Sequence, residues 1–270
     1  MNILDIIFPR DLYCVSCGRP LPSQIDNSIA LCKSCSDDIV WVSGRLCEIC
    51  GRPLADENPK VLCRDCLAAE TRSFGKVYAC AVFAGKASEL IREMKYRGKA
   101  WYADTISSLM AMRYIAIADP ETGELPSFDY LVSVPMSASK KASRGYDQAE
   151  LIAAGLSRRI GIPYLKKALI RSRETGVMSS LSANERKANL TGVFSASYDI
   201  IDTLKGRRLL LADDVYTTGS SADACAEALI NAGAAGVDVI VFATGADALR
   251  TEDRPAVVES PSQLRAKGST

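Results

Sequence analysis

An α/β protein, with a parallel sheet behind a small cysteine-rich lobe, is predicted by three observations. Eight of the ten cysteines fall into four Cys-x-x-Cys pairs within the first 66 residues. From about residue 75 onward, apolar strand-like runs alternate with helical segments. One of those runs, Arg208–Ala212, leads into a turn dense in acids and hydroxyls, and then into a helix. Alternation of this kind implies parallel strands covered by helices on both faces.

The cysteine pairs are Cys14/Cys17, Cys32/Cys35, Cys47/Cys50 and Cys63/Cys66. Each spacing lets two thiolates converge on one tetrahedral ion, and two such pairs complete a four-sulfur shell. The text also repeats: Cys14-Val-Ser-Cys-Gly-Arg-Pro-Leu is echoed by Cys47-Glu-Ile-Cys-Gly-Arg-Pro-Leu. Two tandem zinc ribbons over residues 1–70 are therefore expected, each holding a structural zinc. A disulfide framework is the competing reading, and it needs an oxidising compartment to which nothing here directs the chain. The sequence has no histidine, so a zinc shell must be all sulfur and catalysis has no imidazole base. So small a lobe has little apolar core of its own, and metal must supply much of its folding free energy. Trp41 lies between the ribbons and is expected to pack there. Cys80 and Cys225 sit in apolar runs and read as small core residues.

Hydrophobic residues make up 48% of the chain, enough for a sizeable core. No apolar run approaches the roughly 20 residues of a membrane span. The opening Met1-Asn-Ile-Leu-Asp-Ile-Ile-Phe-Pro carries Asp5 and lacks a basic start, so it does not read as a signal peptide. A cytoplasmic location without membrane insertion is expected, where thiolates stay free for metal. The formal charge of +1 counts thiols as neutral. Four thiolates around a divalent zinc leave about −2 per site, so metal makes the N-terminal lobe more acidic. The stretch 140–187 is locally basic, with Lys140, Lys141, Arg144, Arg158, Arg159, Lys166, Lys167, Arg171, Arg173, Arg186 and Lys187 against few carboxylates. An anionic ligand fits that balance, and solvated helix faces are the plainer account of part of it.

Taken in order, Val77–Phe83 reads as a buried strand and Ser88–Tyr96 as a helix stopped near Gly98. A second helix is expected over Trp101–Ile117, and a turn-rich connection over Pro120–Pro126. Tyr130–Val134 reads as a strand ended by Pro135. A helix follows over Asp147–Ile160, broken by Gly161-Ile-Pro163. Residues 171–189 read as a long polar excursion. Arg208–Ala212 is a strand, Ser221–Ala232 a helix with Gly233 as its stop, and Val237–Phe242 the last strand. This second domain is expected to span 71–248, with a loose tail over 249–270.

The segment Leu209-Leu-Leu-Ala-Asp-Asp-Val-Tyr-Thr-Thr-Gly-Ser-Ser221 carries the chemistry. Its strand delivers a turn to the carboxyl edge of a parallel sheet, where open α/β sheets bind ligands. The turn feeds a helix N-terminus, where free N–H groups and the dipole favour phosphate. Thr217, Thr218, Ser220 and Ser221 add hydroxyls, and Gly219 allows close backbone approach. Asp213 and Asp214 suit sugar hydroxyls and the hydration shell of a divalent metal. A plain helix cap is the bland alternative, but a cap needs one such residue and not two acids and four hydroxyls. No Gly-Lys-Ser/Thr follows, which excludes a Walker-type loop. Upstream, residues 135–144 leave a strand and mix hydroxyls with Lys140, Lys141 and Arg144. That suits a pyrophosphate, as it also suits a basic surface turn.

These residues resemble the phosphoribosyl pyrophosphate (PRPP) signature of type I phosphoribosyltransferases. The chain from residue 10 to about 245 resembles the ComF family of competence-associated proteins, which carry a double zinc ribbon ahead of a type I phosphoribosyltransferase-like domain. The markers are the ribbons, Lys95-Tyr-Arg-Gly98, Val134-Pro135, Arg144-Gly-Tyr-Asp-Gln-Ala-Glu-Leu151, Arg173 with Thr175, Leu181, Glu185-Arg186, Asn189, Phe194 and the Asp213–Ser221 loop. The resemblance implies that Asp213 and Asp214 face the ribose hydroxyls. Thr217, Thr218, Gly219, Ser220 and Ser221 would wrap the 5-phosphate, and Lys140 and Arg144 would meet the pyrophosphate. It places Asp213, Asp214 and Arg144 in the catalytic set, with magnesium accompanying PRPP. The family usually shows Asn at the position of Asp147, Gln at that of Met178 and Thr at that of Ser221.

Three readings follow from the resemblance. The first is a phosphoribosyltransferase that transfers a pentosyl group from Mg–PRPP to an acceptor the sequence does not name, by positioning and electrostatics. The second is a module that handles single-stranded DNA entering the cytoplasm, its path running over the 140–187 face. The third keeps the sugar-phosphate site as a sensor without turnover, a reading to which Met178 lends support. Competence or helicase-type proteins are candidate partners beside PRPP and single-stranded DNA.

Overall fold

The computed structural model describes residues 12–22, 29–55, 61–69, 71–173, 190 and 192–246. The expected tail over 249–270, Met178 and most of the 171–189 excursion lie outside those residues. Two short helices, α1 (Lys33–Asp37) and α2 (Arg64–Ala68), close the knuckles of the ribbons. The rest comprises β1 (Val77–Val82), α3 (Gly85–Tyr96), α4 (Tyr102–Ala116), β2 (Tyr130–Ser133), α5 (Ala138–Arg144), α6 (Gln148–Ile160), β3 (Leu169–Arg171), β4 (Phe194–Ala196), α7 (Ile201–Leu204), β5 (Arg208–Tyr216), α8 (Ser220–Asn231) and β6 (Gly236–Thr244).

The principal sheet has the order β1-β6-β5-β2, and every pair in it is parallel. β5 and β6 are the central strands, which matches their unbroken apolar runs. Alternation along the strands feeds two cores. Leu210, Ala212, Ile240 and Phe242 pack with α3, α4 and α6 on one face. Leu209, Leu211, Val239 and Val241 pack with α8 and the β3–β4 hairpin on the other. Cys80 and Cys225 are buried, one in each core. α4 is buried on most of its surface, including Ile106, Leu109 and Met110, because α6 covers the side turned from the sheet. Gly155 of α6 makes that approach possible: a Cβ there would stand 2.9 Å from the Ser107 Cβ.

The ribbons straddle the β1 edge. Cys14 and Cys35 belong to the core on the α3 side, whereas Cys47, Cys50, Cys63 and Cys66 belong to the core on the α8 side. Residues 40–42, between the ribbons, run antiparallel to β1: Val42 N donates to Cys80 O at 2.9 Å, and Val82 N to Val40 O at 2.7 Å. Trp41 sits in this strap opposite Ala81, half-buried against the first core. At the other edge, Leu131 N donates to Pro163 O and Leu165 N to Leu131 O, both at 2.9 Å, so residues 163–165 cover β2.

Two differences from the sequence reading have clear causes. β5 does not stop at Ala212 but continues through both acids to Tyr216, because β6 pairs with it as far as Thr244. The antiparallel β3–β4 pair has no signal in the sequence; its strands are three residues each and too short to show a period.

Candidate functional site

The two cysteine quartets form as the spacing requires. Cys14, Cys17, Cys32 and Cys35 bring their sulfurs within 4.8 Å of one another, and so do Cys47, Cys50, Cys63 and Cys66. Cys17 and Cys32 Sγ lie 3.6 Å apart, and Cys50 and Cys63 Sγ 3.5 Å. Tetrahedral zinc with bonds of about 2.3 Å needs sulfurs about 3.8 Å apart, so the donors fit two zinc-binding sites of four thiolates each.

A cleft of about 410 Å³ opens at the carboxyl end of β5. Thr217, Thr218, Gly219, Ser220 and Ser221 line it, with Asp213, Lys95, Lys140, Arg171 and Tyr216. Gly219 is the N-cap of α8, with φ +82° and no side-chain cap. The hydroxyls therefore do not close the helix end; Thr218 Oγ1 and Ser220 Oγ lie 3.0 Å apart and bond to each other. A Cβ on Gly219 would stand 2.7 Å from Tyr216 Cζ. Tyr216 is 3% exposed and stacks edge-on against Phe74, and its hydroxyl has no hydrogen-bond partner among the described residues. A buried donor left over beside a helix N-terminus suits an anionic ligand.

Because the acids lie in a strand, they face opposite ways. Asp214 meets α3, where its Oδ1 accepts from Lys95 Nζ at 2.8 Å. Asp213 lines the cleft, and its Oδ1 accepts from the Asp214 N–H at 2.8 Å. Burial pushes the Asp213 carboxyl up to about 8, and the neighbouring Asp214 charge adds to the rise.

Lys140, on α5, is exposed at the cleft rim. Arg144 ends α5 with Nη1 3.9 Å from Met136 Sδ, and it is not among the cleft-lining residues. Asp147 is the N-cap of α6. Its Oδ1 accepts from Glu150 N and its Oδ2 from Met136 N, each at 3.1 Å. It thereby ties the 135–144 connection to α6.

Two arginines absent from the expected site hold the turn from behind. Arg52 Nη2 donates to Thr217 O at 2.6 Å, and Arg72 Nη2 to Thr218 O at 3.0 Å. Ser73 N donates to Asp223 Oδ1 in the first turn of α8 at 2.7 Å. Arg52 lies in the repeated Gly-Arg-Pro-Leu text, which gives no sign that its two copies differ, and Arg72 lies in a segment without pattern.

The double zinc ribbon domain is the family whose profile matches, over residues 3–67. The DNA utilization protein YhgH of Escherichia coli strain K12 is 29% identical over 222 residues, covering 77% of this chain and 94% of that protein. Competence protein ComFC of Bacillus subtilis strain 168 is 24% identical, covering 76% and 80%. Among solved structures, the adenine phosphoribosyltransferase of Leishmania donovani is 15% identical over 65% of this chain and 80% of that one, with a TM-score of 0.34. Competence protein F of Haemophilus influenzae is 32% identical over 192 residues, 71% of this chain and 80% of that protein. With that match and two zinc ribbons ahead of a parallel α/β sheet, the chain belongs to the ComF family.

Proposed function

We propose that the cleft binds Mg–PRPP and that the protein is a phosphoribosyltransferase-like member of its family acting in the use of incoming single-stranded DNA. The observation that carries this reading is the turn 217–221. It has a helix N-terminus without a side-chain cap, a glycine at positive φ and a buried Tyr216 hydroxyl that has no partner among the described residues. Together these form a cradle for a phosphate dianion. Asp213, which lines the cleft, fits a ribose hydroxyl and a magnesium hydration shell, and Asp214 acts on the same space through Lys95, which lines the cleft with it. Lys95 supplies the positive charge beside Asp214, and a bound cation would share that task. Lys140 and Arg171 at the rim suit the pyrophosphate. On this reading catalysis is positional: basic groups stabilise the departing pyrophosphate while the sugar carbon gains positive character.

Calorimetry with Mg–PRPP tests the proposal. The wild-type protein binds, while Gly219→Ala and the Asp213→Ala/Asp214→Ala pair each weaken binding at least about tenfold. A wild-type protein that takes up no Mg–PRPP would sink it. Pyrophosphate release, assayed across nucleobases, ammonia and single-stranded DNA, then separates turnover from sensing. The link to DNA rests on the names of the relatives and on the basic 140–187 stretch. If it is right, affinity for single-stranded DNA falls steeply with salt.

A further inference from the structure

We infer that Arg52 is a positioning residue that ties the second zinc ribbon to the phosphate-binding turn, with Arg72 holding the next carbonyl from the segment that follows the ribbon, so that metal closure of that ribbon sets the turn's affinity for anions. This rests on the reading of the turn given above. The two ribbons carry the same Gly-Arg-Pro-Leu text, yet their arginines live differently. Arg19 of the first is exposed, whereas Arg52 of the second is 7% exposed. A ribbon therefore forms with its arginine in solvent, and the burial of Arg52 answers some other need. Burying a guanidinium is costly unless its donors are matched.

Two contacts of the Arg52 fork join the ribbon to the turn. Nη1 reaches Asp65 Oδ2 at 2.9 Å, and Nη2 reaches Thr217 O at 2.6 Å. Asp65 lies between Cys63 and Cys66, while Arg52 itself follows Cys47 and Cys50. One guanidinium thus spans both halves of the metal site and the turn. Arg72 repeats the contact one residue on, at Thr218 O, with Asp223 Oδ2 3.8 Å from its Nη1. In a trans peptide the carbonyl and the next N–H point opposite ways. Holding the Thr217 and Thr218 carbonyls toward the ribbon therefore turns the Thr218 and Gly219 amides away from it, to the side a phosphate would occupy. Cys47, Cys50, Cys63 and Cys66 would hold zinc and so join the two knuckles; the knuckles place Arg52 and Asp65, and Arg52 sets the amides.

The test uses the full-length, zinc-loaded protein with Arg52→Gln, Arg72→Gln, Arg52→Lys and, as a matched control, Arg19→Gln. Hydrogen exchange over residues 217–221, zinc content and Mg–PRPP affinity are read together. Arg52→Gln and Arg72→Gln should speed exchange over 217–221 and weaken Mg–PRPP by about tenfold each, with both zinc ions retained and β6 still protected. Arg52→Lys, which keeps the charge but not the fork, should fall between, and Arg19→Gln should match the wild type. Should Arg52→Gln lose zinc, a zinc-loaded Arg52→Lys decides the tether, while Arg72→Gln reads the second carbonyl contact alone. Wild-type exchange over 217–221 in the zinc-loaded Arg52 variant overturns the inference. If even the wild type fails to bind Mg–PRPP, the phosphate reading falls, while the exchange data still decide the tether.

Discussion

Asp213 makes the stability of the protein sensitive to pH. Its folded pKa of about 8 stands above the 3.8 of an unperturbed carboxyl, chiefly through burial. Below about pH 4 both folded and unfolded chains hold the proton. Between there and pH 8 the folded chain keeps it and the unfolded chain does not, so stability falls as pH rises through that window. Asp213→Asn should flatten the slope and raise Tm at pH 8 by a few degrees, as thermal melts at pH 6 and 8 would show. Asp147 offers a second test. Its two oxygens accept from two different amides, and an Asn in its place offers one acceptor oxygen for both. Asp147→Asn should cost about 1 kcal/mol in urea denaturation. Both acids and the hydroxyl turn were legible in the sequence because charge and hydroxyl chemistry show in residue type. The double duty of Asp147 was not, since one partner, Met136, lies across a turn. Nor were Arg52 and Arg72, whose partners lie some 150 residues on.

The helices α4 and α6 meet at a glycine. Gly155→Ala gains about 1 kcal/mol of helix propensity. The new methyl, however, lands on Ser107, which is fully buried and bonds to the Asp104 carbonyl at 2.8 Å. Overpacking costs about 1–3 kcal/mol, so the net effect should be destabilising by about 1 kcal/mol, read from the denaturation midpoint. Most elements were legible at this scale because each carries a full period of apolar residues, as α6 does between its Asp147 cap and Gly161. Their ends were less so. Helix α3 begins at Gly85, ahead of its expected start, and β5 runs past its apolar core into the acids. In both, tertiary partners and not local composition set the boundary.

At the scale of the molecule the ribbons are part of the cores. Their cysteines share clusters with the sheet on both of its faces, so removing the two zinc ions should lower the Tm of the whole chain by more than about 10 °C in one transition. Metal content of two per chain and chelator-treated melts check this. The sequence announced the ribbons through their spacing but not where they dock, because docking depends on pairs such as Val42 with Cys80 that no local pattern encodes. The strap at residues 40–42 has one more effect. It is anchored on either side by a metal site, and it masks the outer rim of β1. A nascent chain starved of zinc would bare the six apolar residues of that strand, a template for sticking to its own kind. Solubility during synthesis would then track the metal supply of the cell.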